Sequence, residues 1–201
     1  MPGGGGDMAG YQAISAVGDT LARHLRRAWE LSGPATTACD FQVKGCAEMK
    51  ALKDDSAACA LFLYRLTYNE HTRNQPPPPL LGRPVPVDLH FLFSIWHSSA
   101  LHEQLVLGWL VRELARHPVL DAGLLGTSGG FATEDRLQCV PAELSLDDTS
   151  KLWQLLGASY RPSLTYIVRN VLIAPEQPQS WAPVVATRMD MVAPALAGEE
   201  A

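Results

Sequence analysis

Residues 144–173, LSLDDTSKLWQLLGASYRPSLTYIVRNVLI, place the tightest limits on what this chain can fold into. Ser145 is a good helix N-cap, because its hydroxyl can accept from a free N–H of the first turn. Asp148 stands three residues on, where a capping-box acid reaches back. Leu152, Trp153, Leu155 and Leu156 supply an apolar helical face, and Gly157 ends the helix. Ser163 to Ile173 is rich in β-branched and aromatic residues, which predicts a strand. A segment this well specified, with no reactive group in it, points to a chain whose task is to hold a shape. Leu152, Trp153 and Tyr166 are expected in the core, with Arg161 near the surface.

Upstream, Ile14, Val17, Leu21, Leu25 and Ala28 recur at three and four residues, while Gln12, Asp19, Arg23 and Glu30 avoid that stripe. This is an amphipathic helix over 11–31, ended near Gly33-Pro34. Thr36 to Val43 suggests a strand, and Ala47 to Asp55 a short helix or a loop. Cys59 to Tyr68 is apolar on both faces, as a central strand must be. The run Pro76 to Pro79 favours a stiff, extended edge loop over a ligand for proline-reading domains. Val85 to Trp96 alternates most clearly, with Val85, Val87, Leu89, Phe91, Phe93 and Ile95 on one face and Asp88, His90 and Ser94 on the other. A helix from Ser99 to His117 follows, stopped by Pro118. Its apolar residues, Trp109 among them, spread nearly all the way round, so it should be covered on more than one side, by its own sheet and by a neighbouring subunit. Leu120 to Phe131 reads as a glycine-rich loop and Arg136 to Leu144 as a strand.

The order predicts an α+β fold, a mixed and largely antiparallel β-sheet flanked by helices. The domain is expected over 11–174, after a disordered 1–10. Beyond Ala174 the chain turns to Pro, Ala and Gln, with one apolar island around Trp181, Val184 and Val185, so 175–201 reads as an extended arm.

Composition narrows the function. A net charge of −5 argues against a nucleic-acid partner, which needs clustered Lys and Arg. The cluster Arg23, Arg26 and Arg27 reads as a solvated or subunit-facing stripe. No apolar run approaches the ~18 residues that cross a bilayer, and MPGGGGDMAG lacks the blocks of a signal peptide. The expected location is therefore the cytoplasm, with no membrane partner. Cys39, Cys46, Cys59 and Cys139 form no CxxC pair and are expected to be buried small hydrophobes, with no zinc.

The motifs that look chemical lack their context. Gly126-Thr-Ser-Gly-Gly130 matches G-x-S-x-G, the basis for a serine hydrolase reading through Ser128, but no strand leads directly into it and no helix directly leaves it. His102-Glu103 begins HExxH, yet position 106 is Val. His97 and His102, five apart, are poorly spaced to share a metal on one helix face. His71 and His90 have no partner that sequence can assign. No catalytic, cofactor or metal residue is therefore assigned.

The pieces LFLYRLTYNEHTRNQ, PVDLHFLFSIW, ELARHPVL and LSLDDTSKLWQLLGASYRPSLTYIVRNVLI together resemble the DUF4255, or Pvc16 N-terminal, domain from about Tyr11 to Ile173. That domain occurs in cap proteins of phage-tail-like contractile injection systems. The resemblance implies a tail-terminator-like fold and a structural role, with neither catalysis nor a cofactor. It implies a homo-oligomeric ring, expected to be a hexamer, on the baseplate-distal end of the inner tube. The ring would end tube and sheath polymerisation and anchor the last sheath layer, with tube and sheath proteins as partners inside an assembled particle. Trp109, Arg161, Trp181, Val184 and Val185 are the interface candidates. Ser94-Ile95-Trp96-His97 departs from the small aromatic-glycine ending that other members often carry there.

Overall fold

The alternation of 85–96 becomes the strand on which the rest is laid. The computed structural model describes residues 9–69, 84–126 and 129–174. The expectations for a disordered N-terminus, for His71 and Pro76 to Pro79, for Ser128 and for the arm with Trp181, Val184 and Val185 fall mostly or wholly outside them.

In chain order the elements are α1 (Ala13–Ser32), β1 (Asp40–Val43), α2 (Cys46–Ala51), β2 (Ala58–Tyr68), β3 (Val85–Trp96), α3 (Ala100–Arg116), β4 (Val119–Leu120), α4 (Ala122–Leu125), β5 (Leu137–Ala142), α5 (Leu146–Leu156) and β6 (Ser163–Ile173). Among the described residues six strands form one sheet in the order β1-β2-β3-β6-β5-β4. The β1–β2 pair is parallel and the other four pairs are antiparallel. The α+β fold with a mixed, largely antiparallel sheet is thus the one observed.

Two cores lie on the two faces of the sheet. On one face Val17, Leu21 and Leu25 of α1 and Val106, Leu110 and Leu114 of α3 pack on Phe41, Leu61, Leu89, Phe91, Phe93, Ile95 and Val168. On the other, Met49 of α2 and Trp153 and Leu156 of α5 pack on Ala60, Leu92 and Trp96. From Phe91 onward β3 is buried on both faces, and its inward serine is satisfied there: Ser94 Oγ accepts from Trp96 Nε1 at 3.1 Å.

Local chemistry explains the element ends. Ser145 Oγ accepts from the Asp148 N–H at 3.1 Å, as a cap should. The Asp148 carboxylate accepts from that same hydroxyl at 2.7 Å, which differs from the reach to the backbone expected of a capping box. Gly157 closes α5 in the left-handed region at φ 62°. Asn170, at φ 60°, sits in a bulge where β6 carries one residue more than β3, and Asp88 Oδ1 accepts from its N–H at 2.8 Å. The first and last described residues meet, since the Ala174 N–H donates to the Ala9 carbonyl at 2.8 Å.

Three expectations need correction. Leu155 is not on the apolar face of its helix, because the face toward the sheet is set by Trp153 and Leu156, and Leu155 is 79% exposed. Leu120 to Phe131 is not simply a loop; it holds the end of β4 and all of α4, which Asp121 caps at the Leu124 N–H. Cys46 is exposed, unlike Cys59 and Cys139, which are buried; burial pushes the Cys139 thiol up to about 12.

Leu92→Ala should cost about 2–5 kcal/mol in denaturant unfolding, because it opens a cavity beneath Trp96 and Trp153. Leu155→Ala should change stability by less than about 0.5 kcal/mol.

Candidate assembly surface

The third helix is apolar on more sides than its own chain covers. Val106, Trp109, Leu110 and Leu114 are buried against the sheet, whereas Leu101, Leu105 and Val111 are 76%, 43% and 44% exposed. Leu101, Leu105 and Gly108 follow one another at four and three residues, so they share one outer stripe. A Cβ added at Gly108 would meet nothing within 4 Å, so another backbone can approach closely there. A shallow groove of about 360 Å³ runs beside this stripe, lined by Ser32, Pro34, Gln104, Leu105, Trp109 and Arg112.

A second feature lies on the other flank of α3. The edge strand β4 pairs with β5 only at Leu137 and Gln138. Among the described residues, no strand pairs with Val140–Ala142 on that side. This stretch borders a groove of about 550 Å³ that also takes in Val111, Ala115 and Pro118. An apolar groove beside an unpaired sheet edge has the form that accepts an added strand.

The interface candidates in the described region are placed inside the subunit. Trp109 is 5% exposed and forms an aromatic cluster with Trp29 of α1 and Phe41 of β1, at centroid distances of 4.8 and 5.6 Å. The Arg161 side chain is only 11% exposed, deeper than expected, because three groups converge on it. Its guanidinium pairs with Glu103 of α3 and with Asp54, and lies 4.5 Å from the Trp96 ring centroid. One side chain thus ties the α5–β6 link to α3, to the end of β3 and to the loop before β2. Within the basic cluster, Arg26 donates to Asp40 at 3.0 Å and to the Phe41 carbonyl at 2.6 Å, which fixes β1 to α1.

Chain packing joins histidines that sequence spacing separates. His97 precedes the helix, so helical spacing does not govern its distance from His102, and the rings meet edge-on at 4.6 Å with Nε2 and Nδ1 3.3 Å apart. His97 Nδ1 accepts from the Ser99 N–H, which leaves its Nε2 to carry the proton shared with His102. His90 pairs with Thr67 Oγ1 at 3.0 Å, and burial, with the Arg65 charge, holds its pKa below the usual histidine range. His24 of α1 meets Glu113 and His117 at the end of α3; burial first, and then the nearby His117, lower the His24 pKa against the opposing pull of Glu113. The i, i+4 pair Glu113 and His117 was visible in sequence, but only the packing of α1 brings His24 to it.

The glycine at the second variable position of the G-x-S-x-G match is required by packing. Gly129, at φ 93°, lies so close to α1 that an added Cβ would stand 2.7 Å from the Ala16 Cβ. No described helix is long and apolar enough to cross a membrane.

Arg161→Ala should destabilise the chain by about 3 kcal/mol in equilibrium unfolding, since it strands Glu103, which is 14% exposed. Asp54→Ala, at the exposed arm of the same cluster, should cost less than about 1 kcal/mol.

Comparison with known proteins fits this architecture. No curated protein matches the chain. Among solved structures, the chain is similar to the sheath/tube terminator of an extracellular contractile injection system, PVC, in its extended state, with TM-score 0.53 and 20% identity over 90% of this chain and 64% of that one. It is also similar to the tube-terminating cap of the anti-feeding prophage, with TM-score 0.54 and 19% identity over 87% of this chain and 60% of that one. The chain therefore spans less than two thirds of either protein, and what these two likenesses establish is the fold. The Pvc16 N-terminal domain model matches residues 16–187, and the chain belongs to that family.

Proposed function

We propose that this chain is a structural terminator of a contractile injection system, which closes the baseplate-distal end of the inner tube. The observation that carries this reading is the shared fold with two tube terminators over nearly the whole chain. In this reading identical copies close into a ring, taken to be a hexamer, whose interface is heterologous. The exposed stripe of Leu101, Leu105 and Gly108 is one half of that contact. Trp109 and Arg161 shape it from beneath by fixing where α3 lies. The other outer surfaces meet the tube and the last sheath layer, and no catalytic step is required.

The arm is the second part of the proposal. The described chain ends at Ala174 beside Ala9, and the residues beyond it include the apolar set Trp181, Val184 and Val185. The open edge at Val140–Ala142, with its groove, is a receptor of the right form for an extended segment from a neighbouring cap or a sheath subunit. Main-chain pairing along the edge would supply affinity, and apolar side chains in the groove would supply register.

Two results test this. The double variant Leu101→Glu, Leu105→Glu should stay folded, because both sites are exposed, but should lower the native mass of the purified protein from ring to monomer. Deleting 175–201 should leave the domain folded and weaken sheath attachment at particle ends in negative-stain images. A ring indifferent to the helix charges, or normal sheath attachment without the arm, would remove the corresponding part of the proposal.

A further inference from the structure

The meeting point of α1 with the end of α3 holds a set of groups that the packing of an ordinary helix pair does not call for. Glu113 is 4% exposed in its side chain and faces two histidines from different elements. Its Oε1 lies 3.2 Å from His117 Nδ1 and 3.6 Å from His24 Nε2. The three ligand atoms all lie within 4.8 Å of one another. The two imidazoles stand nearly edge-on at 4.8 Å between centroids, so they do not stack face to face. His24 Nε2 is buried and has no hydrogen-bond partner, its distance to Glu113 being too long for one.

A simple Glu113–His117 ion pair would satisfy the carboxylate and still leave His24 Nε2 as a buried orphan, which is a cost the fold has no packing reason to carry. One cation placed among the three atoms satisfies them all. Two imidazole nitrogens and one carboxylate form a ligand set suited to zinc and its neighbours, not to calcium or magnesium, which take oxygen ligands. Tetrahedral zinc with bonds of roughly 2.1 Å needs its ligand atoms about 3.4 Å apart. The two distances from the carboxylate are already close to this. The wider separation would close by rotation of the His117 ring, whose side chain is 45% exposed. The same exposure leaves the fourth position open to water.

We propose that His24, Glu113 and His117 form a site for a zinc-class divalent ion that clips α1 to the C-terminal end of α3. The ion is structural. It fixes the axial position of the helix that carries the outer apolar stripe. This site does not depend on the terminator reading, since it is argued from one subunit alone.

The test uses the full chain, stripped with a chelator and titrated with zinc chloride by calorimetry and with cobalt chloride by visible absorption. The expected result is one ion per chain, with a Kd of about a micromolar or tighter, and cobalt bands of a tetrahedral site. His117→Ala lies at a half-exposed position and should fold; it should weaken zinc at least about tenfold and abolish the rise in Tm that zinc gives the parent chain. Glu113→Gln should weaken zinc as well, while replacing both His97 and His102 by Ala should leave binding unchanged. No zinc or cobalt uptake at about 100 µM metal would overturn the proposal. So would uptake that survives His117→Ala and is lost with the His97 and His102 pair.

Discussion

The structure depends on a central strand that is buried on both faces. β3 pairs with β2 on one side and β6 on the other, both antiparallel, and from Phe91 to Trp96 each residue it presents meets an apolar layer. Phe93 and Ile95 fill the layer under α1 and α3, and Leu92 and Trp96 fill the one under α2 and α5. A slip of one residue along β3 would exchange these two sets, so register and layer order are specified together. The bulge opposite Asp88, held by its contact to the Asn170 N–H, fixes the strand pair at its other end. Because β3 is committed on both faces, the surfaces left for assembly are the helices outside the layers and the sheet edges.

Those surfaces divide according to what the subunit has already used. Trp109 and Arg161 are consumed within the fold, one in an aromatic cluster and the other among Glu103, Asp54 and Trp96. Two apolar surfaces on and beside α3 stay uncovered among the described residues: the Leu101 and Leu105 stripe, and the groove beside Val140–Ala142. In the proposed ring each copy would cover this stripe on its neighbour, so none would be left unpaired.

Much of the fold was legible because its periodicities are long. The strand alternation of 85–96, the stripe of Val17, Leu21 and Leu25, and the Ser145 to Gly157 cap-to-cap helix all agree with their sequence patterns. The family was legible for the same reason, since its motifs are these elements in order. What escaped the sequence arose from tertiary approach. Arg161 reads as a surface cation until Glu103 and Asp54 arrive from 58 and 107 residues away. His97 and His102 look mismatched on a helical lattice that His97 does not join. Leu155 reads as core in a list of leucines, but helix phase turns it outward. The joining of His24 to Glu113 and His117 had half a signal, the i, i+4 pair, and no sequence rule supplies the third member.

The proposed terminator role places this chain at one end of a tube, which it finishes. The direct measurement is a cryo-EM reconstruction of assembled particles that carry a tagged copy of the chain. A terminator role predicts one ring of the tagged chain at the baseplate-distal end, seated on the last tube layer with the outer stripes of α3 facing neighbouring copies. Tagged density along the shaft or at the baseplate, or intact particles that lack the chain at both ends, would contradict it.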